Sequence, residues 1–142
     1  MATSALTERL LAAVTDPLHP GLRIQAVEQG EVTAYLPLHE GFIGNPWSGY
    51  VHGGVLTTLL DKTTRAAALA LVDAGESVAP LDLRVDHLGA TAAPDGLLAR
   101  ARCTRLTSTI AFLTCEVVDA RSGQVVANGV SSLLRTPQEE GA

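Results

Sequence analysis

The stretch GYVHGGVLTTLLD, Gly49 to Asp61, combines a histidine, paired glycines and a carboxylate around an apolar run. If it opens a helix, the first turn presents unpaired backbone N–H groups and the positive end of the helix dipole, and glycines there admit a ligand oxygen closely. An oxyanion developing against the N–H groups of Gly53 and Gly54 would gain about 2.7–4 kcal/mol per well-placed donor. Asp61 is the second reactive group, because an ionisable side chain in a mostly apolar helix is costly to bury unless it is paired or used. Arg65 stands four residues on, and an (i, i+4) ion pair is the bland alternative, worth a few tenths of a kcal/mol.

Spacing limits how these groups cooperate. His52 and Asp61 are nine residues apart, which on an α-helix is about 13.5 Å of rise and about half a turn of rotation. The two ends cannot act on one carbon within one subunit. If both serve one reaction, the helix start of one chain meets Asp61 of another, as a two-fold dimer arranges twice.

The elements that must position this stretch are legible from periodicity. A helix is expected from about Ser4 to Val14, ended by Asp16-Pro17. LRIQAVEQGEVTAYLPL reads as a hairpin turning at Gln29-Gly30, with Val32, Ala34, Leu36 and Leu38 on one face. The segment His39–Gly49 is expected to be an irregular loop. Gly53 to about Asp73 is the long helix, stopped by Gly75 and apolar on most sides. Strands follow over 81–88, 97–106, 109–119 and 124–135, with turns at Asp95-Gly96, Thr107-Ser108 and Ser122-Gly123. The sum is an α+β chain with one long helix on an antiparallel sheet.

Composition narrows the function classes. At 142 residues the chain is expected to be one domain, 1–142, with a helix and lead-in over about 1–18 and a frayed tail over about 136–142. A hydrophobic fraction of 46% without a span-length apolar run, and an N-terminal segment unlike a signal peptide, predict a cytoplasmic protein not embedded in membrane. A net charge of −5 with scattered basic residues argues against nucleic acid. Cys103 and Cys115 read as core thiols. His19, His39, His52 and His87 lack metal-ligand spacing, so no metal is expected. His87 falls on the apolar face of its strand and reads as a core histidine. The His-Gly-Gly oxyanion motif of lipase-type hydrolases is a poor fit, because the chain has no G-x-S-x-G elbow.

At Gly49, His52, Gly53, Gly54, Leu59 and Asp61 the sequence resembles the hotdog-fold thioesterases of the phenylacetate-pathway (PaaI-like) type. Their signature is similar to G-x-x-H-G-G-x-x-x-x-L-x-D, preceded by an asparagine. The resemblance covers roughly residues 20–135, including DLRVDHLGATAAPDGLL. It implies a hotdog fold, an antiparallel sheet wrapped around one central helix, and acyl-CoA hydrolysis to free acid and coenzyme A with no separate cofactor. It implies that the N–H of Gly53 or Gly54 holds the thioester oxygen and that the partner's Asp61 is nucleophile or general base. His52 would orient the loop or the thioester, and Asn45 would contact the carbonyl or a water. A homodimer sharing its sites follows, with a homotetramer as a further option.

Asn45 stands seven rather than six residues before the histidine, Pro80 replaces a hydroxyl-bearing residue, and Thr107-Ser108 replaces a glycine-basic turn. Arg84, Arg100, Arg102 and Arg105 are the remaining candidates for the CoA phosphates, and Phe42, Trp47 and Tyr50 for an acyl pocket. Two other activities compete: a non-catalytic hotdog domain binding acyl-CoA or another hydrophobic ligand, and a dehydratase acting on hydroxyacyl thioesters.

Overall fold

A computed structural model of the chain describes the backbone of residues 2–137 and side chains from Ala5 onward. Helix α1 covers Ala2–Val14. A hairpin follows, β1 (Arg23–Glu28) and β2 (Glu31–Leu36), its turn closed by the positive φ of Gln29 and Gly30. The loop expected after it is more ordered than its glycines suggest, with a 3-10 turn over Glu40–Phe42 and a small ribbon of β3 (Ile43–Asn45) and β4 (Tyr50–Val51). Then come α2 (Gly53–Leu69), β5 (Glu76–His87), β6 (Leu97–Leu106), β7 (Ile110–Asp119) and β8 (Val125–Pro137).

The main sheet is antiparallel throughout, in the order β1-β2-β6-β7-β8-β5. Its register puts Val32, Ala101, Cys115, Gly129 and Val85 in one inward row, and Ala34, Ala99, Val117, Ala127 and His87 in the next. Small residues dominate both rows, so α2 can lie close against the sheet. A Cβ on Gly129 would sit 3.2 Å from Leu60 Cδ2. Leu56, Leu59, Leu60, Ala66, Ala67 and Ala68 of α2 are buried, and Leu10 and Val14 of α1 join the same core. Cys115 belongs to that core and Cys103 packs against it, as expected of core thiols; burial pushes the Cys115 thiol up, and the neighbouring Glu116 adds to the shift.

Several expectations need correction. Helix α2 stops at Leu69, four residues short of Asp73, and Ala70, Leu71 and Val72 close it with tight backbone bonds to Ala66 and Ala68. Leu38 is 42% exposed, because the chain leaves the sheet after Leu36. Strand β5 starts at Glu76 rather than 81. Pro80 is tolerated because β5 is an edge strand, and a bulge between Pro80 and Asp82 turns Leu81 out to 53% exposure. Thr136 and Pro137, expected in a frayed tail, extend β8, while residues 138–142 lie outside the described part. Among the described residues no helix is long and apolar enough to cross a membrane.

Two carboxylates brace the sheet, Glu76 between strands β5 and β8 and Asp119 from the end of β7 to the neighbouring loop and turn. Glu76 receives Arg135 through Nε at 2.8 Å and Nη2 at 2.6 Å, and this pairing holds its carboxyl below the ordinary value of 4.5. Buried Asp119 accepts from the Thr91 hydroxyl and from the backbone N–H groups of Arg121 and Ser122, with the Thr91 bond the largest cause of its lowered value. A carboxylate whose folded pKa lies below its unfolded one contributes stability above the unfolded value and loses it as pH falls through the folded one. The melting temperature is therefore expected to stay level from pH 7 to about 5 and to fall below the ordinary values of 4.5 and 3.8. Thermal unfolding of Glu76→Gln across that range checks this. The variant should show a shallower acid limb, and an unchanged limb would remove Glu76 from the effect.

Candidate active site

The start of α2 is fixed from three sides. His52 caps it, with φ −63° and ψ 136°; its Nδ1 accepts the N–H of Gly54 at 2.9 Å, and its carbonyl accepts that of Val55 at 3.0 Å. The His52 N–H donates to Phe42 O at 2.8 Å, and the Val51 N–H donates to Thr91 O at 2.8 Å. Gly44 lies beneath, where a Cβ would come within 3.1 Å of His52 Cα, Cβ and Cδ2. Because Nδ1 accepts, the proton of the neutral ring is on Nε2.

This cap distinguishes the two glycines that spacing leaves equivalent. The Gly54 N–H is committed to His52, whereas the Gly53 N–H has no partner among the described residues. One backbone donor at the positive end of a 17-residue helix remains open to a ligand oxygen.

His87 lies beside that donor. A Cβ on Gly53 would stand 3.3 Å from His87 Cε1, 3.7 Å from Nε2 and 3.8 Å from Nδ1, so glycine makes room for the ring. The expectation of a core histidine is corrected. His87 is on the inward row, but that row runs out at the sheet edge beside the start of α2, and the residue is exposed. Alternation found its face; only the end-on position of the helix reveals its neighbour.

Asp61 sits two turns along α2, on a half-open stripe with Thr57, Thr58, Lys62 and Arg65. The (i, i+4) pair forms, with Arg65 Nη2 at 3.6 Å from Asp61 Oδ2 and side chains 33% and 29% exposed. The carboxylate is thus reachable from outside the protomer. The eight residues from Gly53 to Asp61 place them about 12 Å apart along the axis, so the structure does not bring them together within one chain.

The other candidates are dispersed. Asn45 ends β3, where its Oδ1 accepts the Trp47 N–H at 2.9 Å and its carbonyl accepts the Gly49 N–H at 2.8 Å, shaping the ribbon's turn. Trp47 at that turn is 95% exposed and Tyr50 is 47% exposed. Phe42 is core, stacked on His19 at 5.6 Å and tilted against His39 at 5.4 Å.

Arg84, Arg100, Arg102 and Arg105 all fall on rows of the outer sheet face, opposite α2. Arg100 pairs with Glu116 and Arg84 with Asp86, each at 3.4 Å. A depression of about 530 Å³ there holds Arg100 and Arg102 against Glu31, Asp86 and Glu116, a balance that does not favour a polyphosphate.

A family model described as the thioesterase superfamily matches residues 48–126, from the β3–β4 turn into β8. An inferred esterase of Halobacterium salinarum is 33% identical over 104 residues, 69% of this chain and 66% of the relative. One of Caenorhabditis elegans is 32% identical over 94 residues, 66% of this chain and 54% of the relative. The chain thus spans between about half and two thirds of the length of these curated relatives.

Among solved structures, a thioesterase family protein of Silicibacter pomeroyi superposes with a TM-score of 0.81 at 21% identity, covering 94% of this chain and 98% of that one. A phenylacetic acid degradation-related protein of Ralstonia eutropha, described as an inferred thioesterase, gives 0.75 at 25% identity, covering 92% and 98%. With its antiparallel sheet packed on one long helix and a family match that takes in all of that helix and runs on into the last strand, the chain belongs to the thioesterase superfamily and has the hotdog fold.

Proposed function

We propose that the protein is an acyl-CoA thioesterase whose two sites are each shared between subunits of a homodimer. The observation that carries this is the single open N–H of Gly53 at the start of α2, with the other first-turn glycine capped by His52. The thioester oxygen would sit at that N–H, where negative charge develops as the carbonyl becomes tetrahedral. Asp61 of a second subunit would either attack the carbonyl carbon or take a proton from attacking water. By either route the C–S bond breaks, the thiolate gains a proton, and one water is consumed to leave acid and free coenzyme A.

Two features support the dimer. Asp61 is on the half-open stripe of α2, accessible to another chain, and β5 is a sheet edge whose Leu81 and nearby Leu88 are 53% and 56% exposed. An edge that a second copy pairs would cover this apolar surface. The outer-face arginines are not needed for the chemistry; the CoA moiety would run from the start of α2 across the partner.

Release of free thiol from a panel of aromatic, short and long acyl-CoAs tests the reading. Turnover of at least one class supports it. Tight binding without release across the panel would favour a non-catalytic binding domain instead, and formation of an enoyl thioester, seen by absorbance, would favour a dehydratase.

A further inference from the structure

We propose that His87 is a catalytic residue in this site, donating the second hydrogen bond to the thioester oxygen beside Gly53; the inference rests on the thioesterase reading above. The helix start alone is an incomplete oxyanion site. Its Gly54 N–H is held by His52 Nδ1 at 2.9 Å, and the Val55 N–H bonds the His52 carbonyl at 3.0 Å, leaving Gly53 as the free donor of those three. A developing oxyanion accepts more than one hydrogen bond, and side-chain imidazoles serve as well as backbone N–H groups.

His87 meets the requirements from a different element. Its ring packs at the Gly53 α-carbon, with Cε1, Nε2 and Nδ1 all within 3.8 Å of the point a Cβ would occupy. It has no hydrogen-bond partner among the described residues and is exposed, so its N–H is open to a ligand arriving from solvent. The inward neighbour across the ladder is Ala127, which offers no competing side-chain acceptor, while Arg84 and Asp86 of the same strand occupy the outer rows and pair with each other.

A neutral imidazole carries one N–H and an imidazolium two, so a donor exists in either state. His87 transfers no proton and forms no covalent bond; its hydrogen bond lowers the energy of the tetrahedral oxyanion relative to the ground-state carbonyl. Gly53 thereby gains a second role. Any side chain there would press on the imidazole, so the residue that exposes the backbone donor also seats the side-chain donor.

Steady-state hydrolysis of the acyl-CoA panel by the native chain and by His87→Phe, His87→Ala and His87→Gln tests this, with circular dichroism and gel filtration verifying fold and assembly. Removing the donor in the Phe and Ala variants should lower kcat about 100-fold with KM within about threefold of native, because the bond strengthens in the transition state. Gln retains an N–H donor and should recover at least about tenfold of that loss. Native kcat in a folded His87→Phe or His87→Ala variant overturns the proposal, as does an equal loss in Phe, Ala and Gln. If the native chain is active, either result leaves the thioesterase reading standing. If the native chain hydrolyses no acyl-CoA, both fall together.

Discussion

Asp61→Asn should lower turnover at least about 100-fold while leaving the fold, the dimer and acyl-CoA binding in place. Asparagine has nearly the shape of aspartate, but its amide is neither a useful nucleophile nor a base at neutral pH. In the native chain the carboxylate is partly accessible and has one ionic partner, Arg65, at 3.6 Å. That pair is too exposed to be a large part of stability, so the substitution should move the melting temperature by no more than a few degrees. Kinetics of the purified variant, with thermal unfolding alongside, separate the two roles. A large drop in kcat with an almost unchanged melting temperature assigns Asp61 to the chemistry, whereas near-native hydrolysis would leave it only the surface pair.

The largest effect on stability is expected at Leu60. It is fully buried between α2 and the sheet, and its Cδ2 lies 3.2 Å from where a Gly129 Cβ would be. The leucine fills the space that the glycine leaves. Truncation to alanine removes both methyl groups at a place where the facing strand has no side chain to move in, so a cavity should persist. The cost is about 2–5 kcal/mol, which for a chain of this size lowers the melting temperature by roughly 6–18 °C. Leu18, 77% exposed, is the control; its replacement by alanine should cost no more than about 0.5 kcal/mol. Thermal unfolding of the two variants beside the native chain gives the comparison. A Leu60→Ala shift as small as that of Leu18→Ala would mean that the helix does not rest on the sheet as described.

How far the site could be read in advance differs from group to group, for physical reasons. The start of α2 is legible, because residues at helical apolar spacing follow directly on Gly53 and Gly54. Which glycine stays open is not, since the choice depends on where the His52 ring folds back. The sequence carries the helical pattern past the end of α2, because Ala70, Leu71 and Val72 continue its apolar run, while the structure ends the helix at Leu69 and sets β5 at the sheet edge.

The beginning of β5 is hidden in the sequence for the opposite reason. Pro80 and the bulge after it break the alternation, and an edge strand tolerates both. The period of two puts His87 on the inward face, as the structure does, yet that period carries no information about where the helix begins over the sheet. For the arginines the alternation already contained the answer: Arg84, Arg100 and Arg102 alternate with inward residues, which places them away from α2. Asp61 shows the limit most clearly, because its local partner four residues on is written in the chain and its proposed reacting partner belongs to another copy.

The claim of a site shared between subunits is tested most directly by complementation between two inactive chains. Gly53→Val blocks the donor and crowds His87, and Asp61→Asn removes the carboxylate; each homodimer should be inactive. In a mixed dimer one site recovers the intact Gly53 of one chain and the intact Asp61 of the other, while its second site carries both changes. With random pairing of equal amounts, half the dimers are mixed and half of their sites are intact. Hydrolysis should therefore return to about one quarter of the native value per protomer. Mixed dimers that form, as seen by differential tagging, and yet show no more activity than either parent would contradict the account.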